Sequence, residues 1–481
     1  MKRMIDIRLD GTPLHLAPGT AFTLERYNPI FAFGSVQGSK VYRFTVPYSP
    51  VNNRLFQYAA DPAAVWEPKN YRTEQYADGE LIERGFTTLE GVKPDGYELS
   101  FGSNLGDFFG DLRDVPLNQI EFGNEVLPAD HADIVPEKIV AGQTVYTLPT
   151  ILNNQFYGTN TVAGFSGKVN EYLAGTGYVA GAPKVPMFNL HWVLRRLGEL
   201  CGFTLSGEFM QDPDAQRLII YNTFALDGAT TLDYRNHLPA ELSPRTLMLA
   251  LTLPPFGLSV FFDVQRRAVM LSYTEQKLAT PTRLDLTPYT LPSLYPGNMT
   301  DRRLELDWEL DGDDGLMKTI PPAVAKYTGP EYLETTLLTL KGKFSTLIMD
   351  EATGLPKAEQ QGITPLTGQM DKKFRPRFLF WEGVIEDVPR ASSSYGTTSL
   401  SFVGSNNLRD KYWKRFEEFR LRTFPAQIQV AMTASQLAQL DFHRRAGEDV
   451  AVHVRGLDYY VAAVKARLPL GGYSTLDVWR R

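Results

Sequence analysis

Ile5, Ile7 and Leu9 alternate with Asp6, Arg8 and Asp10, the two-residue period of a strand with one face in water. The same pattern predicts strands over residues 22–26 and 41–47. Asp78-Gly79, between two alternating runs at 74–77 and 80–84, predicts a hairpin, because a two-residue turn needs positive φ. Asp95-Gly96 predicts a second tight turn, and residues 105–112 read as a short helix. The first 125 residues therefore read as a compact sandwich or barrel.

The middle of the chain changes period. Leu190, Val193, Leu194, Leu197 and Leu200 fall on one helical face, and Gly202 supplies a left-handed stop. Strands at 203–206 and 217–221 follow, separated by Asp212-Pro213-Asp214. The pattern then recurs. Ser243-Pro244 opens a helix with Leu247, Met248 and Leu251 on its apolar face, and Pro254-Pro255-Phe256-Gly257 stops it. Strands follow at 258–262 and 268–273, flanking a turn at 263–267. The two copies read as a duplicated helix–hairpin unit, with Gly202 and Gly257 at equivalent points.

Alternation resumes at Leu304, Leu306, Trp308 and Leu310, then at 377–381 and 398–402. Residues 407–419 are helical in pattern, with Trp413, Phe416 and Phe419 apolar, and a short helix is predicted at 434–440. Strands at 449–454, 459–468 and 473–479 close the chain. The fold class is β-rich α+β, multidomain. Expected units are an N-terminal β-barrel or sandwich (1–125), an irregular Gly-rich connection (126–187), an α+β part with the duplicated unit (188–300) and a C-terminal β-rich domain (301–481).

Composition narrows this picture little. Aromatic residues are 12% of the chain, which suits sheet cores and large apolar interfaces alike. The net charge of −6 and the scattered basic residues argue against nucleic-acid binding. The densest basic run, Arg409, Lys411, Lys414, Arg415, Arg420 and Arg422, is interrupted by Asp410, Glu417 and Glu418. A single cysteine, Cys201, forms no intrachain disulfide and favours a reducing compartment. No secretory signal is read at the N-terminus, and the greasiest stretch, 247–262, is too short to span a bilayer.

Candidate chemistry is sparse. The six histidines show no His-x-x-x-His spacing, and one cysteine builds no Cys-based zinc site. Asp130-His131-Ala132-Asp133 offers local ligands but reads as a polar loop. Asp307 to Gly312 imitates the start of a calcium loop, yet the twelfth position is Lys318 where a Glu is needed. Gly164-Phe-Ser-Gly167 misses the nucleophile-elbow spacing, and Gly342-Lys343 lacks the rest of a phosphate loop. Cys201 reads as a core thiol. No catalytic, cofactor-binding or metal-ligating residue is assigned.

Three stretches carry a family likeness: Gly19–Phe31 with Tyr42–Phe56, Leu194–Phe203 with Leu247–Asp263, and Leu440-Asp-Phe442 leading into Val452–Val464. Together they resemble tail structural proteins of phages and prophages of Bacteroidetes-type bacteria, in particular the baseplate or tail-tip hub. The resemblance implies tail-tube-like β-barrels with inserted α+β domains. It also implies a homotrimer in which two related barrels per subunit match a sixfold tube to a threefold spike. The implied partners are further copies of itself (a trimer, alternatively a hexamer) and tail-tube, distal-tail, spike or fibre and tape-measure proteins. The implied location is the virion tail, assembled in the host cytoplasm, with no cofactor and no catalytic residue. Alternatives are a sixfold distal tail ring carrying receptor-binding fibres, a carbohydrate-active enzyme or sugar-binding β protein, and an exported adhesin.

Overall fold

The computed structural model describes residues 4–35, 38–103, 108–263, 266–282, 284–331, 336–370, 372–445, 448 and 451–481. The alternation at the start of the chain becomes β1 (Ile5–Leu9), with Ile7 and Leu9 fully buried. β2 (Phe22–Tyr27) and β3 (Lys40–Val46) follow, and then helix α1 (Pro50–Leu55), which Ser49 caps by accepting from Asn52 N–H. Next come β4 (Asn70–Ala77), β5 (Glu80–Lys93) and β6 (Gly96–Gly102). Asp78 and Gly79 have φ of 49° and 87°, as the hairpin requires. The second turn sits one residue earlier than expected, at Pro94-Asp95. Gly96 is already in the strand, where a Cβ would lie 2.0 Å from the Val46 carbonyl oxygen. Of the helix expected at 105–112, residues 105–107 lie outside the described residues, and Gly110–Leu112 form a single 3-10 turn.

The central third contains β7 (Glu137–Val140), β8 (Gln143–Thr147), β9 (Met187–Asn189) and α2 (Leu190–Cys201). Asn189 caps α2 by accepting from Trp192 N–H at 3.0 Å, and Gly202 ends it at φ 71°. β10 (Thr204–Ser206), α3 (Glu208–Gln211) and β11 (Leu218–Tyr221) follow. The second copy is α4 (Pro244–Thr252), opened by a Ser243–Thr246 capping box, then β12 (Leu258–Asp263) and β13 (Ala268–Tyr273). Within the turn between them, residues 264–265 lie outside the described residues.

The two copies share elements but not pairing. β12 and β13 form the expected antiparallel hairpin. In the first copy the strands separate: β10 pairs in parallel with β13, and β11 enters another sheet between β9 and β17 (Arg377–Ile385). The chain between β10 and β11 carries α3 and a 3-10 turn, so it is no hairpin loop. All four residues of β11 are buried, which suits a central strand covered on both faces.

The remaining strands used below are β14 (Thr290–Pro296), β15 (Arg303–Trp308) and β16 (Leu337–Gly342), before β17. β18 (Val388–Ser392), β19 (Pro425–Val430), β20 (Ala451–Val454), β21 (Leu457–Leu468) and β22 (Ser474–Arg480) follow it. Residues 449–450 of the expected strand 449–454 lie outside the described residues. The helical pattern at 407–419 is a π turn over Arg409–Trp413 running into α5 (Lys414–Arg422), and α6 (Ala434–Gln439) matches its expectation. Residues 398–402 form only a two-residue strand, Thr398–Ser399.

A 13-stranded sheet runs β1-β4-β5-β6-β3-β2-β21-β22-β19-β14, with β20 branching from β21 and two two-residue strands, Thr12–Pro13 beside β1 and Leu284–Asp285 beside β20, completing it. Its junction is the antiparallel β2–β21 pair, from Phe22↔Leu468 to Tyr27↔Ala463, so both ends of the chain share one ladder. A seven-stranded sheet takes β17, β11, β9, β8 and β7 in that order, with β18 and the short strand Ser345–Thr346 also on β17. The molecule is β-rich with few helices, and α2 and α4 pack into the same core as both terminal regions.

Candidate interaction surfaces

The register of the seven-stranded sheet sends two hairpins out on one side. β8 runs antiparallel to β9, β11 antiparallel to β9, and β17 antiparallel to β11. The β7–β8 and β17–β18 turns therefore both lie beyond Asn189, at the start of α2. Each turn has two positive φ values: Ala141 (49°) and Gly142 (77°), Glu386 (50°) and Asp387 (60°). Each hairpin also carries a bulge, which adds bend and twist. Aliphatic side chains just before each turn are bare, with Ile139 and Val140 58% and 52% exposed and Val384 and Ile385 50% and 42%, while the β17–β18 turn itself exposes Glu386 and Asp387. Between them lies a groove of about 790 Å³ floored by Asn189, Trp192, Arg195 and Gln216. β7 is the end strand of its sheet, with an unpaired outer edge.

The residues weighed from sequence as chemistry are spent on structure. Asp130 caps a 3-10 turn by accepting from Ala132 N–H, and His131 Nε2 lies 2.9 Å from the Ala229 carbonyl. The calcium-like segment leaves its strand at Trp308, which is 4% exposed, and its later acids turn inward. Asp311 and Asp314 both bind Arg377, itself fully buried and also held by Gln360. Ser166 donates to Glu171 at 2.7 Å. Burial pushes the half-buried Cys201 thiol above its ordinary range, which disfavours the thiolate a nucleophile needs.

The basic run is similarly committed. Arg409 pairs with Glu417 and Asp410, Lys411 with Asp214, Arg415 with Glu275 and Arg420 with Asp301. The Lys411, Arg415 and Arg420 pairs tie α5 and its π turn to segments far away in sequence, the Arg409 pairs are local, and Lys414, Arg415 and Arg422 stay exposed. Among the described residues, no group of three or more His, Cys, Asp and Glu is placed to hold a metal ion, and no helix is long and apolar enough to cross a membrane.

No protein family and no curated protein matches the chain. Solved structures similar to it include the 43 kDa tail protein of prophage MuSo2 from Shewanella oneidensis. That match has a TM-score of 0.41 and 10% identity, and covers 99% of this chain and 98% of the other. The tail protein from Neisseria meningitidis MC58 gives a TM-score of 0.39 at 9% identity, covering 100% and 97%. Prophage tail protein gp18 from Listeria monocytogenes EGD-e gives 0.34 at 9%, covering 98% and 94%. All three are tail proteins.

Proposed function

We propose that this chain is a structural component of a phage tail. It acts as a ring-forming hub or adaptor at the distal end, joining the sixfold tail tube to the tip or spike, and does no bond-making chemistry. The observation that carries the reading is the pair of projecting hairpins. The two hairpins lift four bare aliphatic side chains on the side of a sheet whose end strand β7 has no partner on its outer edge among the described residues, which is how a surface built for other polypeptides is composed. The stretches that carry the sequence resemblance support it too. Residues 19–31 and 452–464 contribute to β2 and β21, which lie side by side, so the likeness at the two ends of the chain meets on one sheet.

In this reading the partners are identical copies, three or six to a closed ring, with tail-tube, spike or fibre and tape-measure proteins above and below. Mass photometry of the purified protein at micromolar concentration tests it. The expected result is a species of three or six subunits, and a stable monomer would overturn the assignment.

A further inference from the structure

We propose that a second surface, the aromatic cleft beside β14, binds an uncharged, proline-rich segment of another polypeptide in its extended left-handed form. The cleft encloses about 730 Å³ where β14, the loop after β2 and strands β19 and β22 converge, and Phe31, Phe33, Tyr295 and Trp479 line it. That volume lies in the range of specific ligand sites, roughly 300–1,000 Å³.

Three observations select the occupant. First, the cleft is electrically neutral. Its one charged liner, Asp477, is held by Lys465 at 2.9 Å and by Gln427 at 2.9 Å, and the chain carries no charge from Leu286 to Thr300. An ionic ligand would find no free counter-charge there.

Second, β14 is a terminal strand of its sheet, and residues 292–296 are all exposed, with Tyr295 54% accessible. Pro292 and Pro296 remove two backbone donors from this strand. A partner strand would therefore find a broken ladder, and docking must proceed through side chains.

Third, the Trp479 indole N–H and the Tyr295 hydroxyl have no hydrogen-bond partner among the described residues, although both line the cleft. Phe31 stacks on Trp479, and the Arg420 guanidinium, paired with Asp301, lies 5.5 Å from the Trp479 ring. The exposed Tyr295 ring and the two spare donors are therefore what complement a polyproline II segment, whose carbonyls are not bonded internally and whose rings stack on aromatic side chains. The surface is separate from the hairpin groove and does not depend on the ring assignment.

Calorimetric titration of the full chain with a synthetic oligoproline of about ten residues tests the proposal, with a glycine–serine peptide and an acidic peptide of equal length as controls. Saturable binding of the oligoproline alone is expected. Tyr295→Ala, on the exposed rim, should weaken it by about tenfold, and Trp479→Phe, which keeps a ring but loses the N–H, by several-fold. Tyr295→Ala keeps the test decisive if Trp479→Phe fails to fold. Three results would each overturn the proposal. One is no heat on adding oligoproline. Another is equal binding of the controls or of Tyr295→Ala. The third is a change of oligomeric state in Tyr295→Ala without oligoproline binding to the wild type, which would make the cleft a contact between copies of this chain.

Discussion

Gly257 is where the central helical part meets the C-terminal segment, and replacing it should cost more than replacing its counterpart Gly202. Both residues have positive φ, 57° and 71°, so an alanine at either pays the left-handed penalty of ~1–2 kcal/mol. Their surroundings differ. A Cβ at Gly202 would meet nothing closer than Arg267 Nη2 at 3.9 Å, whereas one at Gly257 would stand 2.7 Å from Trp413 Cζ2 and 2.9 Å from Cη2. Trp413 has little room to yield. It is 1% exposed, its indole N–H donates to the Pro255 carbonyl at 2.9 Å, and Phe33 and Phe416 pack against it. Forced overpacking of such a site costs roughly 1–3 kcal/mol. Gly257→Ala should thus lose roughly 2–5 kcal/mol against ~1–2 for Gly202→Ala, and Gly257→Val should lose more still. Thermal unfolding followed by circular dichroism and tryptophan fluorescence reads the order directly, with the Gly257 variants melting lowest. Equal midpoints for the two alanine variants, or a Gly257→Val protein that melts with the wild type, would refute the argument.

Arg26 is 2% exposed, pairs with Glu83 at 2.9 Å and donates to the carbonyls of Ile82 and Leu437, so Arg26→Met should cost ~3–5 kcal/mol by stranding a buried carboxylate. Denaturant melts should show Arg26→Met/Glu83→Leu recovering most of that loss. Burial lowers His191 and His237 to about 3, so both stay neutral in the folded chain while the unfolded chain binds a proton at each below the ordinary pKa near 6.5. Their contribution is complete above that value and is lost as pH falls toward 3, about 2 kcal/mol each by pH 5; His237→Gln should leave a shallower decline of melting temperature with acidity. Both ring nitrogens of His191 lack partners among the described residues and the ring packs on Phe209, so His191→Phe should melt at or above the wild-type temperature at pH 7 and flatten the acid limb. Ile139→Asp with Val384→Asp changes only exposed hairpin tips and should leave melting within ~0.5 kcal/mol of wild type while mass photometry shows smaller assemblies; unchanged assembly would remove the hairpins from the interface.

The elements were legible where local chemistry decides them, and the pairings were not. Alternation located β1 and β15, the repeated helix–strand pattern located β13, and Gly202 located the end of α2. Helix α1 could have been found by the same signal that located α4, since Ser49-Pro50 repeats Ser243-Pro244 as cap and first-turn residue. Pairing depends on partners far away in sequence. Nothing local to Leu218–Tyr221 says that it leaves its neighbour β10 for β9 and β17, apart from its lack of any polar residue facing outward. The β2–β21 junction is equally invisible from either strand alone. The hairpin face was missed for a related reason. Ile139 and Val140 fell within the expected Gly-rich connection and Val384 and Ile385 beyond the expected strand at 377–381, and only the register shows that they project past the neighbouring strands.

The internal ion pairs explain how one body can carry two unlike contact surfaces. Arg26 joins β2 to β5 and α6, Arg377 joins β17 to the loop after β15, and Lys411 joins the π turn to the loop before β11. Each is placed well only if segments from different parts of the chain meet in one register, so these pairs act as registration marks more than as net stabilisers. Two outward features are apolar: the aliphatic residues flanking the hairpin turns on one sheet and the aromatic cleft at the end of the other. Contacts made through such surfaces depend on shape and dehydration, which salt screens little, and the two surfaces lie on different sheets. In the proposed reading, copies of the chain associate through one while a separate extended segment occupies the other.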